Sequence, residues 1–247
     1  HKTAVDAQAL DLVRNFKRLR SLDLSETSVR DLSFLDGFSA LQSVNLAKTI
    51  VNHDDLKYLT ASAGLRVLNL EKTRVRNSGM LHIAQFQELE SLSLHKSEVS
   101  SAGLATIVGL QKLKNLDLAN LRITDAGLAH ISKLTSLENL NLQGLGVFSP
   151  FSSQGLALLV SLQNLRSLDL QSSTVTDEGL AHFGANSALR ELNLYFTKAV
   201  TGDGLAPLTG LEWLKLDNSG VTDLGLSSLA ELKNLKYLSL YSTKAGD

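Results

Sequence analysis

The stretch from Leu113 to Leu137 reads LKNLDLANLRITDAGLAHISKLTSL, and it holds one full period of the chain. Asn115-Leu116-Asp117-Leu118-Ala119 alternates polar and apolar residues. That is the pattern of a half-buried strand with Leu116 and Leu118 turned inward. Ile123 follows, then Thr124-Asp125, then Leu128, Ile131 and Leu134 at intervals of three. The later spacing predicts a helix, with Thr124 or Asp125 as its N-cap.

The same unit returns along the whole sequence. Its inward pairs are Leu22/Leu24, Val44/Leu46, Leu68/Leu70, Leu92/Leu94, Leu116/Leu118, Leu140/Leu142, Leu168/Leu170, Leu192/Leu194, Leu214/Leu216 and Leu238/Leu240. From Leu68 to Leu140 each step is 24 residues; the exceptions are 22 (Leu22 to Val44), 28 (Leu140 to Leu168) and 22 (Leu192 to Leu214). A fixed period in this range means one supersecondary unit stacked many times. The expected fold is an α/β solenoid of about ten 22–28-residue strand–helix repeats. Parallel strands line its concave face and helices its convex face, and the greater width of helices bends the stack into a horseshoe. Residues 1–247 then form a single domain.

Between strand and helix a turn signature recurs as ITDAGL (123–128), VTDEGL (175–180), VTGDGL (200–205) and VTDLGL (221–226), with VRNSGM (75–80) and VSSAGL (99–104) as weaker copies. The glycine at its fifth position signals close packing or an unusual backbone dihedral at the start of the helix. A phosphate-binding loop is disfavoured, because the glycine repeats at every turn and no Gly-Lys-Ser/Thr accompanies it.

These motifs resemble the leucine-rich repeat family over essentially the whole chain. The T-x-V-T-D-x-G-L form resembles the cysteine-containing repeats of many F-box-linked proteins and bacterial relatives. It departs at one position: where that class has Cys or Asn, this chain has Thr27, Thr49, Thr73, Ser97, Ser173, Thr197, Ser219 and Thr243. A hydroxyl there can still bond the turn backbone. Leu121 and Leu145 occupy the position in two central repeats, so the bond is absent or replaced there. The resemblance implies a protein-recognition scaffold that uses its concave face.

Composition narrows the function. Lys plus Arg (24) nearly balance Asp plus Glu (25), which gives no general attraction to nucleic acid. There is no cysteine, hence no disulfide, thiolate metal site or cysteine nucleophile. None of the 14 asparagines stands in N-x-S/T. Together with the lack of a signal-peptide pattern at the start, these absences point to an intracellular, cytoplasmic setting. No apolar run is long enough for membrane insertion. Leu10, Val13, Phe16 and Leu19 read as the helical half of a repeat, and YLSLYSTKAGD stops inside another. Without polar caps, the chain reads as a fragment of a longer protein.

Three features stand out on the outward strand positions and turns. The first is aromatic: Tyr195, Trp213, Tyr237 and Tyr241 fall outward in the last three repeats, with Phe196 beside Tyr195 and with Lys215 and Asp217 among them. Exposed aromatics are enriched at binding hot spots. The alternative is that they cover an open end or meet a neighbouring domain. The second is a column of Lys48, Lys72 and Lys96, with His95 and Glu71 adjacent. It reads as a docking strip for an acidic partner, or as a solvated rim partly neutralised by Glu26, Glu71 and Glu98. The third is the four-residue insertion in GLGVFSPFSSQGL (144–156). Its Phe148 and Phe151 either contact a partner or fold back to plug the core.

No set of residues is arranged for chemistry. Asp117 and Asp169 are two repeats apart, too far for a carboxylate pair, and no ligands converge on a metal. The chain is expected to be a non-enzymatic scaffold that needs no cofactor and binds another protein, mainly through the concave face of its C-terminal repeats. The alternative is the substrate-recognition arm of a larger ubiquitin ligase or bacterial effector. Oligomeric state is open.

Overall fold

The computed structural model describes residues 10, 12–145 and 151–246. Its contacts divide the chain into two units, His1–Asp117 and Leu118–Asp247.

The first unit carries strands β1 (Ser21–Asp23), β2 (Ser43–Asn45), β3 (Val67–Asn69), β4 (Ser91–Ser93) and β5 (Asn115–Asp117). They pair in chain order, all parallel, and the register sets Leu22 against Val44, Leu68, Leu92 and Leu116. The second unit repeats the plan with β6 (Asn139–Asn141), β7 (Ser167–Asp169), β8 (Glu191–Asn193), β9 (Trp213–Lys215) and β10 (Tyr237–Ser239). There Leu140, Leu168, Leu192, Leu214 and Leu238 are in register. Apart from Leu22 in the first strand and Leu238 and Leu240 in the last, the paired apolar residues of each strand are buried together with turn residues such as Val75 and Val175 and with inward helical leucines such as Leu104, Leu128 and Leu180. Repeats of this kind bury their cores only by stacking, which is why so short a strand persists.

The helical side is less regular than the spacing predicts. In the first unit it consists of 3-10 turns at Ser33–Leu35 and His53–Leu59, then short helices α1 (Met80–Ile83) and α2 (Ser101–Leu104). The second unit has α3 (Asp125–Ile131), α4 (Ser153–Ala157), α5 (Asp177–Ala181) and α6 (Asp223–Ser228). Between β8 and β9 the described residues contain turns and no helix. That repeat is one of the 22-residue ones, and Gly202 within it sits at φ 113°, outside any helical region.

The turn signature has a packing cause. At Gly225 an added Cβ would lie 1.8 Å from the carbonyl oxygen of Thr201, and at Gly204 it would lie 2.1 Å from that of Asp177. Gly79 in the first unit has an ordinary negative φ of −67°. Close approach to the preceding repeat, not an unusual dihedral, therefore fixes these glycines. The Asp of the signature serves the following repeat. Asp125 accepts from the Ser152 N–H and hydroxyl at 2.8 and 2.6 Å. Asp177 accepts from the Thr201 N–H and hydroxyl and from the Gly202 and Gly204 N–H groups at 2.8–3.1 Å. Burial pushes the Asp177 carboxyl up, but these donors together hold it below its ordinary value.

The threonines of the hydroxyl column are likewise structural. Thr27, Thr49, Thr73, Thr197 and Thr243 each donate to the carbonyl three residues back at 2.6–3.1 Å. Leu121 and Leu145 are buried at the same register and supply apolar contact in place of that bond.

Candidate protein-binding surface

The outward residues of each strand divide into two kinds. Most of the central column closes its own turn: the side chains of Asp23, Asn45, Asn69, Asn141, Asp169 and Asn193 each accept from the N–H two residues on, at 2.8–3.1 Å. These polar residues are turn caps of the Asx type.

Over β8–β10 the character changes. The register places Trp213 opposite Tyr237, and their rings stack with centroids 5.1 Å apart and planes within 7°. Tyr195 and Phe196 follow β8, with centroids 6.2 Å apart. Tyr237, Phe196 and Tyr241 are 44, 48 and 78% exposed, while Tyr195 and Trp213 are half-buried. Trp213 and Tyr237 stand four residues before Asp217 and Tyr241 along their strands. Four residues of strand span about 13 Å. The patch therefore has two aromatic sides separated by a polar floor.

Lys215 and Asp217 form that floor. The Lys215 ammonium lies 5.1 Å from the Tyr195 ring centroid and 3.8 Å from an Asp217 carboxylate oxygen. Asp217 is buried and also accepts from the Tyr241 N–H at 2.7 Å and from the Ser239 hydroxyl. It is committed to the scaffold, and it keeps Lys215 and Tyr241 in place. Tyr195, Phe196, Trp213, Lys215, Tyr237 and Tyr241 gather around the buried Asp217, and the structure adds Lys198, whose ammonium lies 4.8 Å from the Phe196 ring centroid. Lys198 was not legible as a site residue because it follows the strand in the irregular turn 196–204.

The lysine column lies elsewhere than a strand face. Lys48, Lys72 and Lys96 occupy the turn just after each strand with φ of 53–60°, the left-handed region. Lys48 is 2.5 Å from Glu26 and Lys72 is 3.0 Å from Glu71, and each lysine holds its partner carboxyl below the ordinary value. Glu98 pairs with Arg76 at 2.7 Å instead of Lys96. His95 lies 4.0 Å from Asp117. Two of the three lysines are thus paired within the chain, and exposed pairs of this kind are weakly held.

Phe148 lies outside the described residues. Phe151 is 6% exposed, so its ring belongs to the core and not to a contact loop. Among the described residues no group of three His, Asp or Glu side chains could hold a metal ion, and no helix is long and apolar enough to cross a membrane.

No protein-family profile matches the chain, and no curated protein matches it. Solved structures do. An internalin (inlF) of Listeria monocytogenes superposes with a TM-score of 0.75 at 23% identity, covering 98% of this chain and 66% of its own. Internalin C2 of the same organism gives 0.58 at 20% identity, covering 96% of this chain and 84% of its own. A plant peptide hormone receptor, RGFR1, solved in complex with RGF2, gives 0.55 at 18% identity, covering 98% of this chain and 46% of its own. This chain thus spans slightly less than two thirds of the inlF internalin. At these identities the likeness establishes the fold, the leucine-rich-repeat solenoid.

Proposed function

We propose that this protein is a recognition scaffold that holds a protein partner on the strand face of its C-terminal repeats, and that it does no chemistry of its own. The observation that carries the reading is the stacked Trp213–Tyr237 pair facing Tyr195, Phe196 and Tyr241 across the Lys215–Asp217 floor. Large aromatic side chains half in solvent are costly to leave uncovered and bind at low entropic cost once covered. Elsewhere the strand position equivalent to Trp213 holds Ser, Asn or Glu, with Val67 as the one apolar residue, and none holds an aromatic ring. The fold shared with the internalins and with the peptide hormone receptor supports a binding role in general.

The test is a quantitative pull-down from cell extract. The baits are the parent and a Tyr195→Ala/Trp213→Ala/Tyr237→Ala variant, both checked for folding by circular dichroism. Proteins held by the parent and released by the variant are the expected outcome. Identical captures on both baits would remove the patch from the account.

A further inference from the structure

Phe196 sits where the fold has no use for it. Each repeat places one residue in left-handed backbone just after its strand: Glu26, Lys48, Lys72, Lys96, Asn120, Gly144, Ser172, Phe196, Asn218 and Ser242. Nine are polar, charged or glycine, and Phe196 is the aromatic one, at φ 58°. Left-handed backbone is tolerated by Gly and Asn, and is a true outlier for a bulky residue. What the turn needs from this position is main-chain: the Phe196 N–H donates to the Asp217 carbonyl at 2.9 Å, as the Ser172 and Asn218 N–H groups do to Tyr195 and Tyr241. The ring adds nothing to the core, being 48% exposed. The other repeats fill this left-handed position with polar or charged residues or glycine, and an exposed aromatic ring kept there marks a functional residue.

The surroundings state what that ring meets. Lys198 lies over it, and among the described residues that ammonium is in an ion pair with no carboxylate. Lys215 lies over the adjacent Tyr195 ring and balances the buried Asp217. The corner is therefore apolar with one uncompensated positive charge. We propose that Phe196, Tyr195 and Lys198 form a subsite for an extended peptide segment of the partner that carries an apolar side chain beside a carboxylate. The apolar group covers the Phe196 ring edge and the carboxylate meets Lys198. This rests on the reading of the aromatic patch as the binding surface.

Two measurements test it. The first needs no ligand: Phe196→Asn is expected to raise the urea midpoint of unfolding, the folding equilibrium gaining at least about twofold. A lowered midpoint would show that the ring serves the fold, and would overturn the proposal. The second titrates the full chain with three acetylated, amidated probe peptides and reads the emission of Trp213, the sole tryptophan. One probe alternates Glu with Phe, one Gln with Phe, one Lys with Phe. The acidic probe is expected to bind at least about fivefold tighter than the Gln probe, to weaken with salt, and to lose that margin in Lys198→Gln and its affinity in Phe196→Asn. Equal binding of the acidic and Gln probes would overturn the carboxylate preference while leaving the patch a binding surface. Tighter binding of the Lys probe, or binding unchanged by both substitutions, would also overturn it. Binding by none of the probes, with a pull-down that still separates parent from patch variant, would overturn the subsite alone; an unchanged pull-down as well would remove the patch.

Discussion

Replacing Gly225 by alanine sets two effects against each other. Gly225 is the third residue of α6, and helix propensity alone favours alanine by about 1 kcal/mol. The new Cβ, however, would sit 1.8 Å from the Thr201 oxygen, 2.8 Å from its carbon and 2.9 Å from the Gly202 Cα, all main-chain atoms. The helix or the preceding repeat must move by more than 1 Å, which places the overpacking cost near about 3 kcal/mol. The same Thr201 oxygen accepts from the Thr222 N–H at 3.2 Å, and losing that bond costs about 1 kcal/mol more. Packing wins, and Gly225→Ala is expected to destabilise by about 3 kcal/mol. Two companions give the scale. Gly179→Ala meets the movable Leu156 Cδ2 at 3.0 Å, so its loss is smaller; Gly109→Ala meets nothing within 4 Å and gains about 0.4–1 kcal/mol. Urea unfolding, followed by circular dichroism and by Trp213 fluorescence, should rank the midpoints Gly109→Ala, Gly179→Ala, Gly225→Ala from highest to lowest. A Gly225→Ala midpoint at or above the parent's would refute the close-packing explanation of the turn signature.

Other outcomes follow from single contacts. Thr197→Ala removes the hydroxyl that donates to Leu194 at 2.6 Å and is expected to cost about 1 kcal/mol in a urea titration. Ser173→Ala deletes a buried hydroxyl that has no hydrogen-bond partner among the described residues and should leave the midpoint level or higher. The Asp177 carboxyl titrates below its ordinary 3.8, so its contribution is complete above that pH and fades as acid protonates the folded state. Asp177→Asn should therefore lower the midpoint at pH 7 and flatten the loss of stability below about pH 4. Glu26→Gln breaks the exposed pair with Lys48 and should leave the midpoint at pH 7 unchanged.

The fold was legible because its information is repeated. The apolar pair recurs ten times, nine times as two leucines and once as Val44/Leu46, and the strand register that it implies is the one observed. The pairing of Trp213 with Tyr237 follows from that register, while Tyr195 and Tyr241 stand two residues past β8 and β10, in the turns that follow. What escaped the sequence lies in the turns. An interval of three apolar residues suits a 3-10 turn as well as an α-helix, so the helical side came out shorter and more mixed than expected. Lys48, Lys72 and Lys96 look like strand residues by spacing, but three residues past the strand the chain swings into left-handed backbone. The capping role of Asn45 and Asn193 escaped the sequence because the N–H groups that they accept from are fixed only by the turn. Asp217 has the composition of a surface residue, and only the Tyr241 N–H and Ser239 hydroxyl closing over it show that it is buried.

The central claim is that partners meet the aromatic strand face of the C-terminal repeats, and site-specific photocrosslinking in cells tests it most directly. A photoreactive phenylalanine replaces Tyr241, 78% exposed beside the patch, or Leu224, 73% exposed on α6. The account predicts discrete crosslinked proteins from the Tyr241 probe that disappear when Trp213→Ala and Tyr237→Ala are added, and none of these from the Leu224 probe. The same crosslinked proteins from Leu224, or an unaltered pattern at Tyr241 after the aromatic substitutions, would contradict it.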